Sequence, residues 1–239
     1  MGASDDLNKH ELDLWNKRDR DCDSYAVTED FVFAYPSGFF ADLEPVKAGL
    51  QNAMVFLKEI TGLNPKNCLH SRVFVTYSRD AKSSTWSARE GNRVRIPNKY
   101  LGMKNEPLDT CSHELVHPFF FVSPLHKSNE PWGEGFCDFL RGPVKHVMGL
   151  DGKGWLEKMV SEVNNQKSTH QAPAGELVLM AQRALTKDEN LERFTKWFVD
   201  DPVSVRAFVT FLFIAVSERR LSTVLDPTDQ MKEDWPDSI

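Results

Sequence analysis

Ser112-His-Glu-Leu-Val-His-Pro118 is the stretch on which the reading of this chain turns. Histidines four residues apart lie on one face of a helix, a turn apart, so both imidazoles can reach one point. Two such rings can hold a single Zn²⁺. Glu114, directly after the first histidine, turns to the same side, where it can take a proton from a metal-activated water. With seven histidines and sixteen glutamates in 239 residues, such a pattern arises by chance about 1% of the time. Its weight therefore comes from what surrounds it.

Zinc in a hydrolytic site needs a third protein ligand and one open position. Sixteen residues separate His117 from Glu134, which stands in Pro131-Trp-Gly-Glu-Gly-Phe-Cys-Asp-Phe-Leu-Arg141. That is room for a helix end, a loop and a returning helix. Glu130 is the alternative third ligand, although Pro131 follows it and favours a loop there. Asp138 lies one turn beyond Glu134, on the same face. A zinc-bound imidazole wants a carboxylate on its other ring nitrogen, so Asp138 either orients His113 or His117 or is a plain surface acid.

His-Glu-Leu-Val-His followed by Trp-Gly-Glu-Gly-Phe-Cys-Asp-Phe resembles the gluzincin metallopeptidases, thermolysin and the zinc aminopeptidases among them. Glu134 to Arg141 is most similar to the plant basic secretory protein family of metallopeptidases. The resemblance spans about residues 93–141 and is specific at the two motifs. It implies a metal held by His113, His117 and Glu134, with Glu114 as general base and Asp138 behind the ligands. It also implies that Arg93–Ile96 is the edge strand of a cleft, against which an extended peptide would pair.

Two features depart from that pattern. Pro118 directly follows His117 and cannot give a hydrogen bond to the Glu114 carbonyl, so the helix is expected to kink or stop near it. Peptidases of this kind also use a tyrosine or histidine to steady the oxyanion. All four tyrosines here, Tyr25, Tyr35, Tyr77 and Tyr100, precede the metal motif. His146 and Tyr100 are the leading substitutes, ahead of His170 and Arg141.

Outward from the motif, strand patterning covers Phe31–Tyr35, Arg72–Ser78 and Arg93–Ile96, with a further short strand over Thr85–Arg89 and a turn at Gly91-Asn92. Helical spacing covers Glu44–Ile60, closed by Thr61-Gly62, and Leu108–His117. Beyond Gly133 it returns at Trp155–Asn164, Ala174–Leu185, Leu191–Val199 and Val203–Val216, with Pro202 at the start of the last. The first 24 residues are highly charged, and His10–Asp23 within them is either a short helix or a frayed arm; Asp226–Ile239 is a polar tail. Phe119-Phe-Phe-Val122 reads as core in preference to a substrate pocket. Cys111 and Cys137 flank the motifs as packing thiols, with a disulfide between them left open.

Composition bounds the rest. A net charge of −6 argues against nucleic acid as a partner. No apolar run approaches the roughly 20 residues that span a bilayer. The first ten residues lack the apolar core of a secretory signal, so cytoplasm is the default compartment, with secretion after removal of a leader left open. Four scattered cysteines suit buried thiols better than a disulfide framework. No P-loop, dinucleotide fingerprint or Gly-x-Ser-x-Gly elbow is present.

The expectation is an α+β, zincin-like catalytic domain over 1–239. It has a small sheet-plus-helix lobe at about 25–121 and a helical lobe at about 131–225, with the zinc cleft between them. Its expected function is zinc-dependent peptide hydrolysis with Glu114 as general base. The alternatives are a zincin-fold hydrolase acting on a small metabolite or unusual amide, and a non-catalytic binding protein. A peptide or small amide is the expected partner; oligomeric state is not legible.

Overall fold

Phe31-Val-Phe-Ala-Tyr35 and Val73-Phe-Val-Thr-Tyr-Ser78 are buried at every position, as strands enclosed on both faces require. They lie at the centre of a five-stranded sheet in a computed structural model that describes residues 6–87, 92–127, 131–164 and 172–217. The protein is α+β, with one mixed sheet and a mostly helical remainder. It divides into two compact units. One comprises Met1–Val55 and Asn64–Pro118, the other Phe56–Leu63 and Phe119–Ile239.

The first unit carries the sheet. In chain order it has α1 (Lys9–Asn16), β1 (Ser24–Val27), β2 (Phe31–Tyr35), the opening turns of α2 (Phe40–Thr61), α3 (Pro65–Leu69), β3 (Val73–Ser78), β4 (Thr85–Ser87) and β5 (Arg93–Pro97). The strand order is β1-β2-β3-β5-β4. β2, β3 and β5 run parallel, and β1 and β4 pair antiparallel at the two edges. Arg93–Ile96 is therefore not the edge strand expected from the resemblance. β5 is flanked on both sides, with Val75 opposite Val94 on β3 and Trp86 opposite Val94 on β4. Val94 and Ile96 are wholly buried, as an inner strand demands. The edge is β4, whose three residues are too few for alternation to reveal.

The charged N-terminal stretch is a helix. Asn8 Oδ1 accepts the His10 and Glu11 amides at 3.0 and 2.9 Å, and Glu11 accepts the Asn8 amide at 3.0 Å, closing a capping box. The Glu11 carboxylate also takes three hydrogen bonds from Arg72: from its amide at 3.1 Å, its Nε at 2.8 Å and its terminal nitrogen at 2.5 Å. Its side chain is 1% exposed. Burial alone would raise the carboxyl's pKa, but the hydrogen bonds from Arg72 and Asn8 outweigh it and hold Glu11 below the usual glutamate value.

After β5 come a 3₁₀ turn (Asn98–Tyr100), α4 (Asn105–Glu114) and α5 (Val116–Val122). The single helix expected over Leu108–His117 is two, interrupted at Leu115. Pro118 is the cause: it has no N–H for the Glu114 carbonyl, so the ladder ends there, although Leu115 still donates to Cys111 at 2.9 Å. The interruption puts Pro118 in the first turn of α5, where a missing donor costs little. α4 lies close on α2 because Gly49 has no side chain; a Cβ there would sit 2.6 Å from Leu108 Cδ2.

The second unit is helical: α6 (Pro131–Val147), α7 (Gly152–Asn164), α8 (Ala172–Leu185), α9 (Leu191–Asp200) and α10 (Pro202–Ser217). Phe139 anchors its core, its ring 5.7 Å from Phe198 and 5.5 Å from Phe208. Gly142 on α6 admits Leu156 of α7, and Gly175 on α8 meets the Met159 backbone of α7. Pro202 opens α10 as expected. The polar tail lies outside the described residues. Among the described residues no helix is long and apolar enough to cross a membrane.

Candidate metal centre

α4 ends on Glu114 and α5 begins on Val116, so the two histidines belong to different helices. The bend does not separate them. His113 Nε2 and His117 Nε2 are 3.0 Å apart, and the rings stand at 77° to each other with centroids 4.8 Å apart. Two ring nitrogens this close share either a proton, in an N–H···N hydrogen bond whose direction depends on the tautomers, or a cation. Tetrahedral zinc at about 2.05 Å from each nitrogen would set them roughly 3.3 Å apart.

Glu114 is nearly buried, at 9% exposure. Its Oε2 accepts the main-chain amide of Trp86 at 2.7 Å and lies 3.9 Å from His117 Nε2. The carboxylate is thus held beside the imidazole nitrogens. Trp86 stands on β4, and its indole lies almost parallel to the His117 ring, 5° off at 5.8 Å. Nothing in the sequence pattern pointed to Trp86, because no spacing rule connects position 86 with position 117. The only signal was an aromatic residue within a short strand.

Glu134 is in the first turn of α6 and exposed. His113, His117 and Glu134 are a set whose donor atoms could hold a metal ion. Two imidazoles and a carboxylate are a nitrogen and oxygen donor set that zinc accepts. Asp138 follows one turn later and is 2% exposed; a carboxylate so buried requires a donor. Its main-chain carbonyl accepts Trp155 Nε1 at 2.8 Å.

The oxyanion candidates are placed differently. His146 is near the C-terminal end of α6, twelve residues and roughly 18 Å along the helix from Glu134. Its Nε2 is 2.8 Å from Asp200 Oδ1, and it is 43% exposed. His146 and Glu134 therefore stand at opposite ends of the same helix. Tyr100 ends the 3₁₀ turn after β5, with the Lys99 ammonium 5.0 Å from its ring centre. No hydrogen bond ties Tyr100 to either imidazole among the described residues. Arg141 lies over the Trp155 ring at 3.9 Å. Glu130 and His170 lie outside the described residues.

Cys22, Cys111 and Cys137 are buried free thiols, so no disulfide joins Cys111 to Cys137. Burial, with the Glu114 charge adding to it, pushes the Cys111 thiol well above its usual range and leaves it neutral and unreactive. Phe119 is fully buried, and the rings of Phe120 and Phe121 flank His126 at 5.7 and 4.6 Å.

No family model matches the chain, and no curated protein or solved structure does.

Proposed function

We propose that this protein is a zinc-dependent peptidase of zincin-like fold and gluzincin type, with His113, His117 and Glu134 holding the metal and Glu114 serving as general base. One observation carries the reading. Two imidazole nitrogens converge to 3.0 Å beside a buried carboxylate whose oxygen lies 3.9 Å from one of them. A general base must be held within reach of the proton it removes, and Glu114 is so held by the Trp86 amide.

When bound, zinc would polarise the scissile carbonyl and acidify a water. Glu114 takes the proton of the attacking water and passes it to the leaving amine. Asp138, one turn from Glu134, is assigned to the far ring nitrogen of a ligand histidine, fixing its tautomer. Neither His146 nor Tyr100 is given the oxyanion role.

Elemental mass spectrometry of the purified protein tests the metal. About one zinc per chain is expected, lost in Glu134→Ala and in His113→Ala. Glu114→Gln is expected to keep zinc and lose turnover of a peptide library by at least about a hundredfold. Full turnover by that variant would sink the mechanism. Cleavage confined to small amides in a parallel panel would move the substrate class.

A further inference from the structure

Glu114 and His117 share a neighbour that lies outside the motif and whose side chain the proposed mechanism does not use. Trp86 touches both, through different parts of itself. Its main-chain N–H donates to Glu114 Oε2 at 2.7 Å. Its indole face lies against the His117 imidazole, 5.8 Å between centroids and 5° from parallel. An amide donated to a carboxylate is a charge-assisted bond, stronger than a neutral one, and it fixes one oxygen in place. A parallel ring wall limits rotation of the imidazole, whose direction decides where its Nε2 points.

Trp86 is itself held from behind. Its indole Nε1 donates to Asn92 Oδ1 at 2.9 Å. Asn92 is 2% exposed, and its own amide donates to the Ser71 carbonyl at 3.3 Å. The Asn92 carbonyl accepts the Phe74 amide of β3 at 2.9 Å. Its backbone adopts φ +60°, the left-handed conformation that asparagine tolerates better than most residues. A chain of contacts thus runs from β3 through Asn92 and the indole to His117.

We infer that Trp86 is a positioning residue for this centre, its amide fixing the Glu114 carboxylate and its Asn92-anchored indole fixing the His117 ring. The inference rests on the proposed metal-site reading for its purpose. The contacts it invokes exist without metal, so the two can be tested apart. Nuclear magnetic resonance of the metal-free protein reads the contacts. Zinc titration against a competing chelator reads their consequence.

In the metal-free protein the Trp86 amide proton should resonate well downfield, as strong hydrogen bonds to carboxylates do, and move upfield in Glu114→Ala. The His117 ring protons should carry a ring-current shift that Trp86→Ala removes and Trp86→Phe retains. Zinc affinity should fall about ten- to a hundredfold in Trp86→Ala, the usual effect of losing a group that orients a ligand. Trp86→Phe keeps the ring face and should restore most of that affinity. Asn92→Gly accepts φ +60° without strain but releases the indole, and should fall between the two.

Absence of both resonance signatures overturns the inference whatever the metal does. Unchanged zinc affinity in a folded Trp86→Ala also overturns it, reducing Trp86 to packing. Signatures present in a protein that takes no zinc support the contacts and sink the metal-site reading instead.

Discussion

His117-Pro118 and Gly142-Pro143 are two prolines in helical chain with opposite outcomes. At Pro118 the helix is interrupted, and α4 and α5 are separate elements. At Pro143 the helix continues, and α6 runs unbroken from Pro131 to Val147. Both prolines remove a hydrogen bond to the carbonyl four residues back. The two differ in the residue before, although a Cβ there does not by itself stop a helix: α2 continues through Pro45 behind Glu44. The proline ring clashes with the Cβ of its predecessor in helical geometry. His117 has a Cβ and Gly142 has none. The chain at 118 relieves the conflict by restarting the helix, so that the proline falls in a first turn. The chain at 143 lacks the Cβ part of that conflict, and α6 continues through it.

Three substitutions probe that contrast. Gly142→Ala should have the largest effect, because it restores the clash with Pro143 and places a methyl 2.6 Å from Leu156 Cγ. A stability loss of about 1–3 kcal/mol is expected by denaturant unfolding, with helical signal retained. Pro143→Ala on the Gly142→Ala background should return part of that loss. The excess of that return over the effect of Pro143→Ala alone measures the proline conflict, and the unrecovered loss measures the packing against Leu156. If nothing returns, the predecessor's Cβ is not what separates the two prolines. Pro118→Ala should have the smallest effect, a gain of under about 1 kcal/mol, since a first-turn proline costs little. Its zinc content should be unchanged, because histidines at i and i+4 also meet on a continuous helix. Zinc loss in that variant would mean the interruption itself sets the ligand geometry.

What was legible in the sequence follows the range of the force involved. Phe31–Tyr35 and Val73–Ser78 announced themselves because β-branched and aromatic residues crowd into short runs bounded by turn residues. The His113, Glu114 and His117 grouping was legible because helical spacing alone brings it together. α1 was undecided although Asn8 and Glu11 have the spacing of a capping box, a local signal that was missed; only the burial of Glu11 by an arginine 61 residues away lay beyond local rules. The exchange of β5 for β4 at the sheet edge was missed for a related reason: strand order depends on pairing between segments distant in the chain, which a strand's own residues do not show. Trp86 was invisible for the same reason as Glu11. The point of interruption before Pro118 was read three residues late, because a proline disturbs the turn before it.

The Glu11–Arg72 contact has a consequence for behaviour in acid. A carboxyl held below its usual value in the folded state stabilises the fold fully at pH values above about 4.3, where the unfolded chain's glutamate is also ionised. As pH drops past that point the unfolded chain takes up the proton first, and the contribution drains away until the folded Glu11 protonates as well. Glu11 belongs at once to the cap of α1 and to the start of β3, so protonation loosens a helix and a strand together. α1 should therefore loosen early in acid, seen as amide exchange that quickens over Lys9–Asn16 before it quickens in β2. Glu11→Gln should show the same release already at neutral pH.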